Sequence, residues 1–125
     1  MRIISLNCNG IRASFKKGMW EYLQSTEADA ICFQEVRAAI EDNPLTEDVL
    51  GDYKAHWFVA EKKGYSGVGI VSKVKPKHVE YGINNEMFDA EGRVIRADFK
   101  DVSICLLYTS PSPRDLSTSR MPSSA

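Results

Sequence analysis

The chain has 125 residues, enough for one domain around one modest core, and its 43% hydrophobic and 26% charged residues are those of an ordinary globular protein. No apolar run approaches the roughly 18 to 20 residues that span a bilayer, and the start MRIISLNCNG lacks the layout of a signal peptide, so a cytoplasmic protein with no membrane partner is the expectation. A formal net charge of −1 excludes a global basic field, so any nucleic-acid contact must come from local lysines and arginines.

In chain order, RIISL at 2–6 is a short apolar run ending at NCNG, whose Asn and Gly signal a turn, and it reads as a first buried strand. Phe15, Met19, Trp20 and Leu23 share one face of a helix that begins near Ser14 and closes at STEAD. Ala30, Ile31, Cys32 and Phe33 make a second buried strand. EDNPLTED is a polar loop with room for a short helix after Pro44. YKAHWFVAE, the turn KKGYSG and then VGIVS read as a hairpin. KHVEY and RVIRADF alternate as further strands, with FDAEGR as the turn between them, and VSI opens another.

One helical crossover followed by consecutive strands predicts an α/β protein with a mixed sheet. Cys8, Cys32 and Cys105 are widely spaced and odd in number, which suits small buried hydrophobes better than a disulfide framework or a zinc site. His56 and His78 lie in strand-like stretches and read as ordinary strand residues, Asp89 and Glu91 as parts of a structural turn, and Trp20 and Trp57 as core.

From Ser110 onward the chain holds six Ser and three Pro in sixteen residues, without periodicity. CLLYTSPSPRD, from Cys105 to Asp115, can be back-translated into a transposase sequencing adapter read in one frame, and SRMPSSA, from Ser119 to Ala125, fits the far end of the same adapter. The expectation is a domain part at 1–104 and a disordered, adapter-encoded segment at 105–125.

The second strand raises a chemical question, because Gln34 and Glu35 follow its apolar residues with no turn signal between. If the first two strands are parallel neighbours, Asn7 and Glu35 reach the same carboxyl edge of the sheet, where open α/β sheets place their ligands. A carboxylate there suits a magnesium ion, which takes one or two carboxylates and keeps several waters. By position alone, Glu35 reads rather as a solvated strand-end charge and Asn7 as a turn residue.

The pattern SLNCNGIRAS, then ICFQEVRA, then GYSGVGIVSK resembles the exonuclease III family of apurinic/apyrimidinic endonucleases, within the wider endonuclease/exonuclease/phosphatase superfamily. The resemblance runs in consistent order from residue 1 to about 104. It implies the N-terminal part of a four-layer α/β/β/α sandwich with mixed sheets, and hydrolysis of phosphodiesters in double-stranded DNA with magnesium, or manganese in its place. Glu35 matches the family's principal metal ligand, and Asn7 an asparagine beside the metal that hydrogen-bonds to the catalytic cluster, so the resemblance implies that both Asn7 and Glu35 are catalytic and both belong to the metal site. Asn9 stands where some relatives carry an aspartate. Arg12 and Lys17, or Lys16 if a gap intervenes, correspond to residues that hold the DNA backbone.

Gly64 and Tyr65 match a second DNA-contacting loop, in which Lys62 and Lys63 add charge and a glycine lets the backbone approach phosphate. Tyr108 falls near a family active-site tyrosine, but its adapter-like codon setting makes that register coincidental. The family's remaining catalytic groups, an Asp-x-Asn pair, a further asparagine and a terminal Asp-His pair, come later in its chain. The expectation for 125 residues alone is therefore an inactive product with an inner sheet face exposed. No protein partner is implied. A phosphatase or sphingomyelinase of the same superfamily and a small non-catalytic DNA-binding module are the rival readings.

Overall fold

The computed structural model describes residues 1–62 and 64–107. β1 (Ile3–Asn7) and β2 (Ala30–Gln34) are parallel neighbours, with Asn7 opposite Gln34. β3 (Lys54–Phe58) and β4 (Val68–Ser72) form the expected antiparallel hairpin, and β4 pairs with β2, so the four strands run in the order β1-β2-β4-β3. A second, antiparallel sheet holds β5 (His78–Tyr81), β6 (Val94–Asp98) and β7 (Ser103–Leu107) in sequence order.

The crossover from β1 to β2 is two helices rather than one, α1 (Ile11–Lys16) and α2 (Met19–Ser25). The helix starts earlier than Ser14 because Gly10, with φ of 98°, already turns the chain into it, and it breaks where Gly18 takes φ of 91°. The face foreseen from the sequence is nonetheless the buried one, since Trp20 and Leu23 are buried and Phe15 and Met19 pack beside them. α3 (Glu47–Leu50) follows Pro44, and the indole N–H of Trp20 donates to the carbonyl of Val49, tying α3 to α2. A short helix, α4 (Glu86–Asp89), runs into the FDAEGR segment just before its glycine turn.

The layers follow from alternation along β2 and β4. Ile31, Phe33 and Val71 point to the helices, while Ala30, Cys32, Val68 and Ile70 point to the second sheet and meet Ile95, Ala97, Ile104 and Leu106 there. β2 is buried on both faces, which is why it reads as an unbroken apolar run. Each large side chain removed fully from water here contributes about 1.5–3 kcal/mol. This is helix, sheet, sheet: three layers of the α/β/β/α sandwich, with mixed sheets.

The structure differs from the sequence reading in three places. The two sheets cover much of each other's inner faces, and what stays exposed there among the described residues includes Ile3 on β1 at 44% and Tyr81 on β5 at 48%. Cys8 and Cys32 are buried, but Cys105 is exposed, because alternation along β7 sends Ile104 and Leu106 inward and Cys105 outward. That same alternation carries β7 to Leu107, so 105–107, expected to be disordered, are strand. The remainder of the Ser/Pro segment, with Tyr108, lies outside the described residues, as does Lys63.

Candidate active site

The geometry at the end of β2 explains how a carboxylate follows a dry strand. After Gln34 the chain turns left-handed at Glu35, with φ of 52°, and again at Arg37, with φ of 53°. Such conformations cost a non-glycine residue about 1–2 kcal/mol and persist only where the surroundings fix them. Here they are fixed from both sides. Gly10 N–H donates to the Glu35 carbonyl at 2.8 Å and Ile11 N–H to that of Val36 at 2.9 Å; Val36 N–H donates to Gly67 at 3.0 Å and Arg37 N–H to Ser66 at 2.7 Å. Val36, fully buried, anchors the segment between the two loops.

Asn7 and Glu35 do meet. The Asn7 amide nitrogen donates to Oε2 of Glu35 at 2.7 Å, and the Asn9 backbone N–H donates to Oδ1 of Asn7 at 3.0 Å. The two contacts together set which end of the amide faces which partner, and the oxygen is engaged within its own turn. Asn9, at φ of 47°, joins Gly10 in the left-handed turn that NCNG signals. Below the rim the Cys8 thiol donates to the carbonyls of Gln34 and Glu35. Burial above all, with the charge of Glu35 adding, pushes this thiol up to about 11, so it stays protonated at neutral pH.

Arg37 is the residue that sequence reasoning missed at the rim. Its guanidinium lies 2.5 Å from Oε1 of Glu35; the Glu35 side chain is 13% exposed and that of Arg37 is 48% exposed. The signal was present as an arginine two residues after the carboxylate. Only the left-handed turn at both residues folds the one over the other.

The predicted DNA-contacting residues fall on two segments, helix α1 and the loop before β4, that both hydrogen-bond to Glu35–Arg37. Arg12 and Lys17 are exposed on α1 and at its end, next in the chain to the Gly10–Ile11 hydrogen bonds. Gly64, at φ of 79°, and Tyr65, 40% exposed, precede the Ser66–Gly67 hydrogen bonds on the other side. A second missed residue, Arg93, holds Tyr65 in place. Arg93 is 5% exposed, pairs with Glu91, donates to the Tyr65 hydroxyl at 3.0 Å and lies 5.6 Å from the ring centroid. Lys62 lies 5.9 Å from the same centroid.

The donor set suits a hard divalent cation that keeps most of its waters. It offers one partly shielded carboxylate at an open strand end, and among the described residues no group of three His, Cys, Asp or Glu side chains converges. His56 stands away from this rim in β3, where burial, then the charge of Lys75, lowers its pKa. His78 is exposed beside Glu80 at 3.5 Å.

Residues 4–124 match the Endonuclease/Exonuclease/phosphatase family. An exodeoxyribonuclease of Bacillus subtilis is 42% identical over 117 residues, covering 93% of this chain and 45% of the relative. The DNA repair nuclease APEX1 of Danio rerio is 38% identical over 120 residues, covering 93% of this chain and 38% of the relative. The solved structure of an AP endonuclease from Archaeoglobus fulgidus superposes with a TM-score of 0.71 at 27% identity, over 86% of this chain and 41% of that one. The chain thus spans less than half the length of each of these proteins. Fold and sequence similarity agree, and the chain belongs to the endonuclease/exonuclease/phosphatase family, with relatives of the exodeoxyribonuclease III and AP endonuclease kind.

Proposed function

We propose that the protein to which this chain belongs is a magnesium-dependent DNA repair nuclease that hydrolyses phosphodiesters at abasic sites, at 3′ ends, or both. The observation that carries this reading is the Asn7–Glu35 contact of 2.7 Å at the carboxyl rim of two parallel strands, set between the start of α1, which carries Arg12, and the loop that presents Tyr65. Relatives named as exodeoxyribonuclease and DNA repair nuclease support the substrate class.

Glu35 would hold the metal, with manganese able to replace magnesium, and the ion would supply Lewis-acid stabilisation of charge developing on the phosphate. Asn7 spends its amide nitrogen on Oε2 of Glu35 and its oxygen on Asn9 N–H, so its part is to fix the rotamer of the carboxylate. Arg12 and Lys17 on one side, and Gly64 and Tyr65 on the other, hold the duplex backbone across the rim, leaving the scissile phosphate facing Glu35. A metal ligand without its base and histidine partners loses orders of magnitude in rate, because such groups act as a unit. The 125-residue chain alone is therefore expected to be inactive.

The test is cleavage of a duplex carrying an abasic-site analogue, with and without magnesium. The longer parent enzyme should cut it, and Glu35→Gln should abolish cutting; metal-independent cutting, or full activity in that variant, would overturn the reading. Efficient magnesium-dependent cutting by the 125-residue chain would contradict its inactivity. The adapter origin proposed for residues after 104 is settled by reading the source DNA, where non-adapter codons would refute it.

A further inference from the structure

Glu35 already holds a cation. The Arg37 guanidinium lies 2.5 Å from Oε1, on a side chain that is 48% exposed and placed there by a left-handed backbone at φ of 53°, while Asn7 takes only Oε2. Backbone hydrogen bonds from Val36 and Arg37 to Gly67 and Ser66 fix the root of the arginine without fixing its tip. A guanidinium and a divalent cation at one carboxylate oxygen would repel each other strongly at separations of a few ångströms. Either the arginine leaves when the metal arrives, or the metal binds weakly.

We propose that Arg37 is an exchangeable counter-ion: it neutralises Glu35 in the metal-free protein and, displaced by the divalent cation, turns its planar donors to a DNA phosphate beside that cation. Guanidinium geometry matches phosphate as well as it matches carboxylate, so one side chain serves both states. The arrangement shields the carboxylate from wrong partners before metal arrives, and couples metal binding to backbone capture. This inference rests on the reading of Glu35 as a metal ligand, and the experiment separates the two.

Mn2+ affinity is measured by electron paramagnetic resonance on the purified chain and on Arg37→Gln, Arg37→Lys and Glu35→Gln. Binding of a fluorescein-labelled duplex is followed by anisotropy with and without Mg2+. The expected result is Mn2+ binding about three- to tenfold tighter in Arg37→Gln than in the parent chain, near-parent affinity in Arg37→Lys, and loss of the site in Glu35→Gln. Duplex binding should weaken in Arg37→Gln with Mg2+ present and change little without it. Equal Mn2+ affinity in the parent chain and Arg37→Gln, with the site still lost in Glu35→Gln, would overturn the exchange while leaving the metal reading intact. Mn2+ binding indifferent to Glu35→Gln would overturn both. Arg37 is half exposed, and the lysine variant keeps the charge, so a folding defect shared by both substitutions is separable by circular dichroism from the charge effect.

Discussion

Two carboxylates in this chain each organise a turn, and they do it differently. Asp89 accepts the backbone N–H of Ile83 at 2.9 Å through Oδ1 and that of Asn85 at 3.1 Å through Oδ2, with Gly82 packed directly against it. Glu35 accepts instead from the amide of Asn7 and the guanidinium of Arg37. Backbone donors cannot swing away without unfolding the turn, whereas side-chain donors can. A carboxylate bound by backbone is committed to structure, whereas the Asn7 and Arg37 contacts of Glu35 can be exchanged without unfolding its turn. Glu35 also sits in a left-handed residue at a strand end, a strain that the fold maintains where a compliant turn would not need it.

The contrast is broken most severely by exchanging the two residues' fates. Glu35→Gln in the longer parent enzyme should lower kcat by about two orders of magnitude or more, while losing the Arg37 ion pair should cost only about 1 kcal/mol of stability. Asp89→Ala should do the reverse, costing about 1–3 kcal/mol of stability in urea unfolding, with the rate loss per folded molecule small. If Asp89→Ala removed activity in a fully folded protein, the division between the two carboxylates would fail.

Gly82→Ala sharpens the structural half. A Cβ there would lie 2.4 Å from the Asp89 carboxylate, at φ of 87°, so a loss of about 1–3 kcal/mol is expected by urea unfolding. Gly64→Ala, also left-handed but with open space around the added carbon, should cost less, about 1 kcal/mol.

Comparable in size, but reached only at high pH, is the alkaline response of the buried thiols. Burial raises Cys8 and Cys32 from 9.0 to about 11 in the folded chain, so the stability carried by the neutral thiol is intact below pH 9 and drains away as pH rises through 11. The expected loss is about 2 kcal/mol per thiol by pH 11, and Cys8→Ala or Cys32→Ala should flatten that arm of the urea-stability curve. At pH 8 a thiol reagent should label the exposed Cys105 first and leave Cys8 and Cys32 intact until unfolding.

Most of the architecture was legible because it rests on local pattern. The strands at IISLN, AICFQ and VGIVS, the hairpin through KKGYSG, and the buried face of the crossover helices all announce themselves by periodicity and turn residues. The meeting of Asn7 and Glu35 was legible too, as a consequence of parallel pairing. The helix break at Gly18 was not, since a glycine inside an amphipathic pattern does not say whether it bends or merely weakens the helix. Nor were Arg37 and Arg93. Arg37 reaches Glu35 only because two non-glycine residues adopt left-handed backbones. Arg93 reaches Tyr65 only because Gly92 lets its turn lie against the backbone of Val59 and Ala60. Those placements depend on contacts between segments far apart in sequence, which no local pattern encodes.

The most direct measurement of the central claim is the anomalous scattering of a crystal of this chain soaked in Mn2+. The account requires a peak about 2.0–2.5 Å from a carboxylate oxygen of Glu35, with Asn7 still bonded to that carboxylate. Ordered manganese bound elsewhere on the chain, with Glu35 still closed on Arg37 at saturating metal, would contradict it.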